Sequence, residues 1–168
     1  MAKNQQSHPG SARPGSTAFL LAQVGAHAAS RFGARLGKLH LERPHAGILR
    51  IIGISPGLTQ QALGQQLGIL PSRLVALLDE LQEKGYVERR SDPGDRRSYA
   101  LHLTDGGRRV LEQIGQIARD HDDEICAALN PSERQQLHTL LRRITEQQAL
   151  TPGVHPGYRS LGRGARKR

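Results

Sequence analysis

Apolar residues recur every three or four positions along most of the chain. Leu20, Val24, Ala28, Phe32, Leu36 and Leu39 mark one face of a first helix, Thr17 to Leu41. Pro44 suits the first turn of a second helix, which carries Ile48, Leu49 and Ile52 and runs to about Gly53. Ser55-Pro56-Gly57 reads as a turn. Thr59 then offers a hydroxyl to cap a third helix, Gln60 to Leu67, closed by Gly68. The spacing predicts a fourth helix over Pro71 to Lys84, with Leu74, Leu77, Leu78 and Leu81 facing the core and Gly85 as its stop. The period then drops to two, and Tyr86 to Arg90 and Tyr99 to Leu103 read as strands. Thr104 caps a long helix, Asp105 to about Leu129, with acidic Asp105 near its positive end. Asn130-Pro131-Ser132-Glu133 ends it and opens a last helix to about Gln148, with Leu137, Leu140, Leu141 and Ile144 on one face.

The two strands are joined by Asp92-Pro93-Gly94-Asp95-Arg96-Arg97, a tight glycine-bearing turn with two arginines. The third and fourth helices lie about one turn apart, with Gly68 between them, as in a helix-turn-helix. The predicted fold is therefore mainly α with a small β-hairpin wing: a winged helix-turn-helix at about 44–104, flanked by long dimerisation helices at about 17–41 and 105–150. Such an element enters the major groove by the N-terminal end of its second helix. With the leucines turned inward, Ser72, Arg73, Val75 and Ala76 are left near the groove, and Thr59 stands at the start of the preceding helix. Arg73 can reach guanine or a phosphate, Ser72 can donate to either, and Val75 and Ala76 can at most touch a thymine methyl. At the wing, Asp95 can brace Arg97, and Arg96 and Arg97 are candidates for a narrow minor groove. Arg89 and Arg90, at the base of the hairpin, can meet phosphates.

Net charge is +9, which favours a polyanionic partner. That charge is unevenly placed. All fifteen acidic residues lie between Glu42 and Glu146, and seven of the basic residues lie in the two tails. Thr17 to Leu150 thus carries only +2, and Thr59 to Thr104 balances six basic against six acidic residues. Placement rather than isoelectric point must carry a nucleic-acid reading. The tails, residues 1–16 and the basic 151–168, hold few large apolar residues and are expected to be disordered. The long outer helices carry apolar positions at Leu111, Ile114, Ile117 or Ala118, Ile125 and Leu129, then at Leu137 to Ile144. A small winged helix cannot cover so much apolar surface alone, and a symmetric dimer can.

Asp95-x-Arg97 followed by Leu103-Thr104, with Ser72 to Val87 before it (Asp79-x-Leu81, Lys84-Gly85-Tyr86-Val87), resembles the recognition helix and wing of the MarR family of bacterial regulators. The resemblance extends over about 130 residues. It implies a homodimer joined through the first and the last two helices, binding a palindromic double-stranded DNA site, usually as a repressor. It also implies release by a small aromatic or lipophilic ligand, in a pocket near His40 and His45. Many members carry Thr and Arg where this chain has Val75 and Ala76, which leaves more of the reading to shape and wing.

Other chemistry finds little support. The sequence holds no paired acid and base, activated nucleophile or phosphate loop, so neither an enzyme nor a bound cofactor is expected. His40, His45 and His121, the last beside Asp122 and Asp123, match no strong metal-ligand spacing. Cys126, the one cysteine, is expected to be buried in the fifth helix, and its solitude excludes an intrachain disulfide and suits a cytoplasmic protein. No apolar run is long enough for a membrane span. The rival reading is a winged-helix protein-interaction scaffold without sequence-specific DNA binding, which Asp79, Glu80, Glu83 and Glu88 would suit.

Overall fold

The computed structural model describes residues 15–92 and 95–160 of the chain, with side chains over 15–91 and 99–158. Among these residues are six α-helices and one three-stranded antiparallel sheet. Helix α1 spans Thr17–Gly37 and α2 Arg43–Ile54. A two-residue strand β1, Leu58–Thr59, leads into α3, Gln60–Leu67, and α4, Pro71–Glu83. The wing strands are β2, Val87–Asp92, and β3, Asp95–Leu103. Helices α5, Asp105–Ile125, and α6, Pro131–Gln147, follow. This is the mainly helical winged helix-turn-helix that the sequence predicts.

The helix starts follow from their caps. Thr59 Oγ1 accepts from the Ala62 N–H at 3.2 Å, and Thr104 Oγ1 from the Gly107 N–H at 2.9 Å. Asn130 and Glu133 form a reciprocal box, each side chain accepting from the other's backbone N–H. Gly68, in the left-handed region at φ 66°, ends α3 and turns the chain into α4.

The core lies where α2, α3, α4 and the sheet converge. Ile48, Leu49, Ile51 and Ile52 of α2 meet Leu63 and Leu67 of α3, the four α4 leucines, and Leu101 of β3, all buried. The sheet order is β1-β3-β2, with Leu58 opposite Leu101 and Val87 opposite Leu103. Strand β1 is absent from the sequence prediction, because two residues carry no period. It ties the start of α3 to the wing.

Four expectations need correction. The first helix stops at Gly37 rather than Leu41, because His40 takes a left-handed conformation at φ 54° and lets Leu41 turn into the core. The fifth helix stops at Ile125 rather than Leu129, leaving Cys126 half-buried at its C-cap rather than buried within it. Its apolar stripe is not wholly left for a partner: Val110 and Ile114 are buried within the chain, and Leu111 packs against the core. The chain beyond Leu150 is not wholly disordered. It folds back, forms a 3-10 helix at Pro156–Ser160, and packs Val154 and Tyr158 against the core. The expected tails at 1–14 and 161–168 lie outside the described residues.

The wing is joined to α5 at a close backbone contact. The Thr104 N–H donates to the Tyr86 carbonyl at 3.1 Å, and a Cβ on Gly107 would lie 2.0 Å from that same oxygen. Gly115, two turns on, would meet only the Arg119 side chain, at 3.5 Å. Gly107→Ala should therefore destabilise the fold by about 1–3 kcal/mol. Gly115→Ala should be neutral or stabilise by up to about 1 kcal/mol. Urea denaturation at fixed protein concentration checks both, and equal effects would contradict this packing.

Candidate nucleic-acid interface

Helix α4 is fixed by its inner face. Leu74, Leu77, Leu78 and Leu81 are at most 1% exposed, and their spacing leaves the opposite face outward. On that face Ser72 and Val75 are exposed, and Arg73 and Ala76 half-buried, as the sequence predicts. Pro71 opens the helix. Its missing N–H costs nothing in the first turn, where that donor would have no intrahelical partner. Beside this end runs a groove of about 410 Å³ lined by Gln60, Gln61, Gln65, Ile69 and Pro71. Gln61 and Gln65 are exposed there. Sequence reasoning passed over these amides, although the pairs Gln60-Gln61 and Gln65-Gln66 are conspicuous at the start of a capped helix.

The arginines divide by what holds them. Arg89 does not reach out from the wing base: its guanidinium donates to Asp79 Oδ1 and to Gln82 Oε1, each at 2.7 Å. Both acceptors lie on α4, so Arg89 clamps the first wing strand to that helix. Arg90 is largely exposed but donates to Glu88 on its own strand. Arg73 lies 3.4 Å from Glu42, at the N-cap of α2. Thr59 uses its hydroxyl to cap α3. The side chains of Asp95, Arg96 and Arg97 fall outside the described ones, while their backbone belongs to β3, directly beside β2. Tyr99, on the same strand, is exposed. The sequence gives it no signal beyond an aromatic in an alternating run.

The two histidines expected near a pocket are placed apart. His40 is exposed in the α1–α2 turn. His45 is 1% exposed and faces α4. Its Nδ1 accepts from the Glu42 N–H at 3.0 Å, which leaves the proton on Nε2, 3.1 Å from a Glu80 carboxylate oxygen but short of a well-aligned hydrogen bond. Burial lowers the His45 pKa below 6.5, against the opposing pull of Glu80 and Glu42. Neither histidine lines an apolar cleft of about 490 Å³ that runs between α1, α2 and α5 past Phe32, Ile54, Leu111 and Ala118. His121 packs on Phe32 with ring centroids 5.4 Å apart, and burial lowers its pKa too. Among the described residues no His, Cys, Asp or Glu cluster could hold a metal ion, and no helix is long and apolar enough to cross a membrane.

A buried-stripe helix behind a tight glycine corner, with a two-stranded ribbon clamped beside it, defines a winged helix-turn-helix protein. Comparison with known proteins makes this specific. The MarR family model matches residues 41–98. A transcriptional regulatory protein assigned to the hcr operon of Thauera aromatica is 38% identical over 106 residues, 63% of this chain and 64% of that protein. This chain therefore spans less than two thirds of that relative. An HTH-type transcriptional repressor of Mycobacterium tuberculosis is 27% identical over 126 residues, 75% of this chain and 91% of that one. Wild-type apo MarR from E. coli superposes with a TM-score of 0.69 at 27% identity, covering 77% of this chain and 96% of that one. The repressor CouR, solved on a 23-mer DNA duplex, gives 0.68 at 29% identity, covering 77% and 92%. The family model, the relatives and the solved neighbours together support a MarR-family winged helix-turn-helix transcriptional regulator.

Two predictions arise from this geometry. The Arg89–Asp79 pair is partly exposed, so a double-mutant cycle of Arg89→Ala and Asp79→Ala should show a stability coupling of about 0.2–1 kcal/mol. Zero coupling would mean that the arginine is not engaged by α4. The second concerns pH. A histidine whose folded pKa lies below its unfolded value takes its proton first in the unfolded chain. Its stabilisation is present above the unfolded pKa of about 6.5 and is lost as pH falls through it. Burial lowers the pKa of His45, His121 and His155 alike. The melting temperature should therefore fall from about pH 7.5 to about pH 5.5. His45→Gln should flatten that fall, which calorimetry across the pH range reads directly.

Proposed function

We propose that this protein is a transcriptional regulator that binds a palindromic duplex DNA site as a homodimer and acts as a repressor. The observation that carries the reading is the pairing of an outward α4 face, held by a buried leucine stripe, with the wing clamped beside it by Arg89. In this reading Ser72, Arg73, Val75 and Ala76 face the major groove, with Gln61 and Gln65 at its rim. Arg96 and Arg97 enter the minor groove, steadied by Asp95, and Arg90 meets a phosphate. Arg89 and Thr59 act by positioning other groups. The solved relatives support the mode of binding: a mutant MarR from E. coli has been seen with operator DNA, and CouR with its duplex.

Dimerisation rests on exposed apolar surface. Helix α6 has no buried residue, and Leu137, Leu140 and Ile144 lie open on one side of it. Phe19, Leu20, Leu21 and Val24 are likewise open at the start of α1. Such a surface is rarely left to water. A two-fold partner covers it and matches the symmetry of a palindrome. The apolar cleft between α1, α2 and α5 supports a second element of the reading, control by a small apolar ligand.

The test is titration of a selected duplex followed by fluorescence anisotropy. Arg97→Ala should weaken binding by about tenfold or more, near 1.4 kcal/mol, and Asp95→Ala by less. The logarithm of the binding constant should fall with the logarithm of salt by about 0.9 for each phosphate contacted. A flat salt response, with Arg97→Ala binding unchanged, would favour the protein-docking scaffold instead.

A further inference from the structure

The chain beyond α6 does not trail away. After Leu150 it crosses back to α2, where Arg50 donates to the Gly153 carbonyl. Val154 packs on the core, and the 3-10 turn at Pro156–Ser160 delivers Tyr158 into the edge of the α1–α2–α5 cleft. The Tyr158 hydroxyl donates to the Arg43 carbonyl at 2.9 Å, in the first turn of α2. The ring lies directly on Gly47: a Cβ there would come within 2.9 Å of Cε2 and 3.0 Å of Oη. A side chain at Gly47 would require the ring to shift. The phenol is buried enough to raise its pKa above 10.0, so it remains a donor over the working pH range.

These contacts differ in kind from those of the helices. Among the described contacts that join the strap to the body are the Tyr158 ring, the Val154 side chain and two hydrogen bonds to backbone carbonyls. The cleft beside it is apolar and lined by Phe32, Gly47, Ile54, Leu111, Ile114 and Ala118, with Gly153 and Tyr158 of the strap at its edge. A strap lying on the surface opens at lower cost than the core. We propose that residues 151–160 are a tethered ligand: the Tyr158 ring holds one end of the α1–α2–α5 cleft, against Gly47 and the Arg43 carbonyl, and a phenol that binds at that end must first displace it. The proposal deepens the ligand-control reading of the cleft and is independent of DNA binding. The effective concentration of a tethered ring is high, so a free competitor faces a standing disadvantage.

The probe is p-cresol, which is the tyrosine side chain without its backbone. By isothermal titration, full-length Tyr158→Ala should bind p-cresol at least about tenfold more tightly than the natural chain, because the vacated site offers both the apolar wall and the Arg43 carbonyl. Adding Gly47→Ala to Tyr158→Ala should abolish that gain, since the new methyl stands where the ring would lie. Equal binding by the natural chain and Tyr158→Ala would show that the strap does not occupy the site, and would overturn the proposal while leaving a ligand cleft intact. No binding by either protein would overturn both. Circular dichroism of each variant at the titration temperature establishes that all are folded.

Discussion

The burial of four leucines on one side of α4 is the constraint from which the rest follows. Leu74, Leu77, Leu78 and Leu81 pack into a nest made largely by the isoleucines of α2 and by Leu63 and Leu67 of α3. Each buried leucine contributes about 1.5–3 kcal/mol relative to an exposed one. No polar contact around this helix approaches that sum, since exposed ion pairs contribute about 0–1 kcal/mol each. The apolar stripe therefore decides how α4 is rotated, and the outward residues are outward because of it. The charged groups refine what packing has set. Arg89 fastens the ribbon to α4, and Glu42 and Glu80 draw the start of α2 toward the same helix through Arg73 and His45.

This division of labour bears on the electrostatics. Three of the arginines that could have made a cationic field in the helix-turn-helix are matched with Glu42, Asp79 and Glu88. The unit from Thr59 to Thr104 is neutral by count. In the proposed mode of binding, attraction to a polyanion comes from its extremity, where Arg96 and Arg97 stand together in sequence, and from the basic ends of the chain. The outer helices tell a complementary story. Ion pairs from Arg31 and Arg35 to Glu124 join α1 to α5, and Arg134 to Asp123 joins α5 to α6. Their polar sides are thus satisfied within one subunit, while the leucines of α6 are not.

Sequence patterns spoke clearly where two independent signals coincided. The bounds of α3 were legible because the Thr59 cap and the Gly68 stop agree with the period between them. The end of α1 was not, because Leu39 continues the helical spacing although His40 has already left it. The wing was read from its alternation and turn chemistry, but β1 was invisible: its pairing with β3 spans more than forty residues. Arg89 looked like a phosphate contact because one dimension cannot show that Asp79 and Gln82 reach the same point from another element. The strap was missed for a different reason. Composition counts apolar residues, and Val154 and Tyr158 are only two. What makes them sufficient is a hollow prepared by Gly47 on a distant helix.

The short pairing of Leu58 and Thr59 with Leu101 and Ala100 has a mechanical meaning. It welds the root of the ribbon to the first turn of α3, while Arg89 welds the ribbon to α4. Ribbon and helices are thus tied at two places, like the jaws of a fixed-gap caliper. Such a tool tolerates variation in the material it grips but not in thickness. Along a double helix, the corresponding invariant is the phase between neighbouring grooves. In the proposed mode of binding, inserting one base pair between the points met by α4 and by the ribbon is a graver change than exchanging a base at either of them.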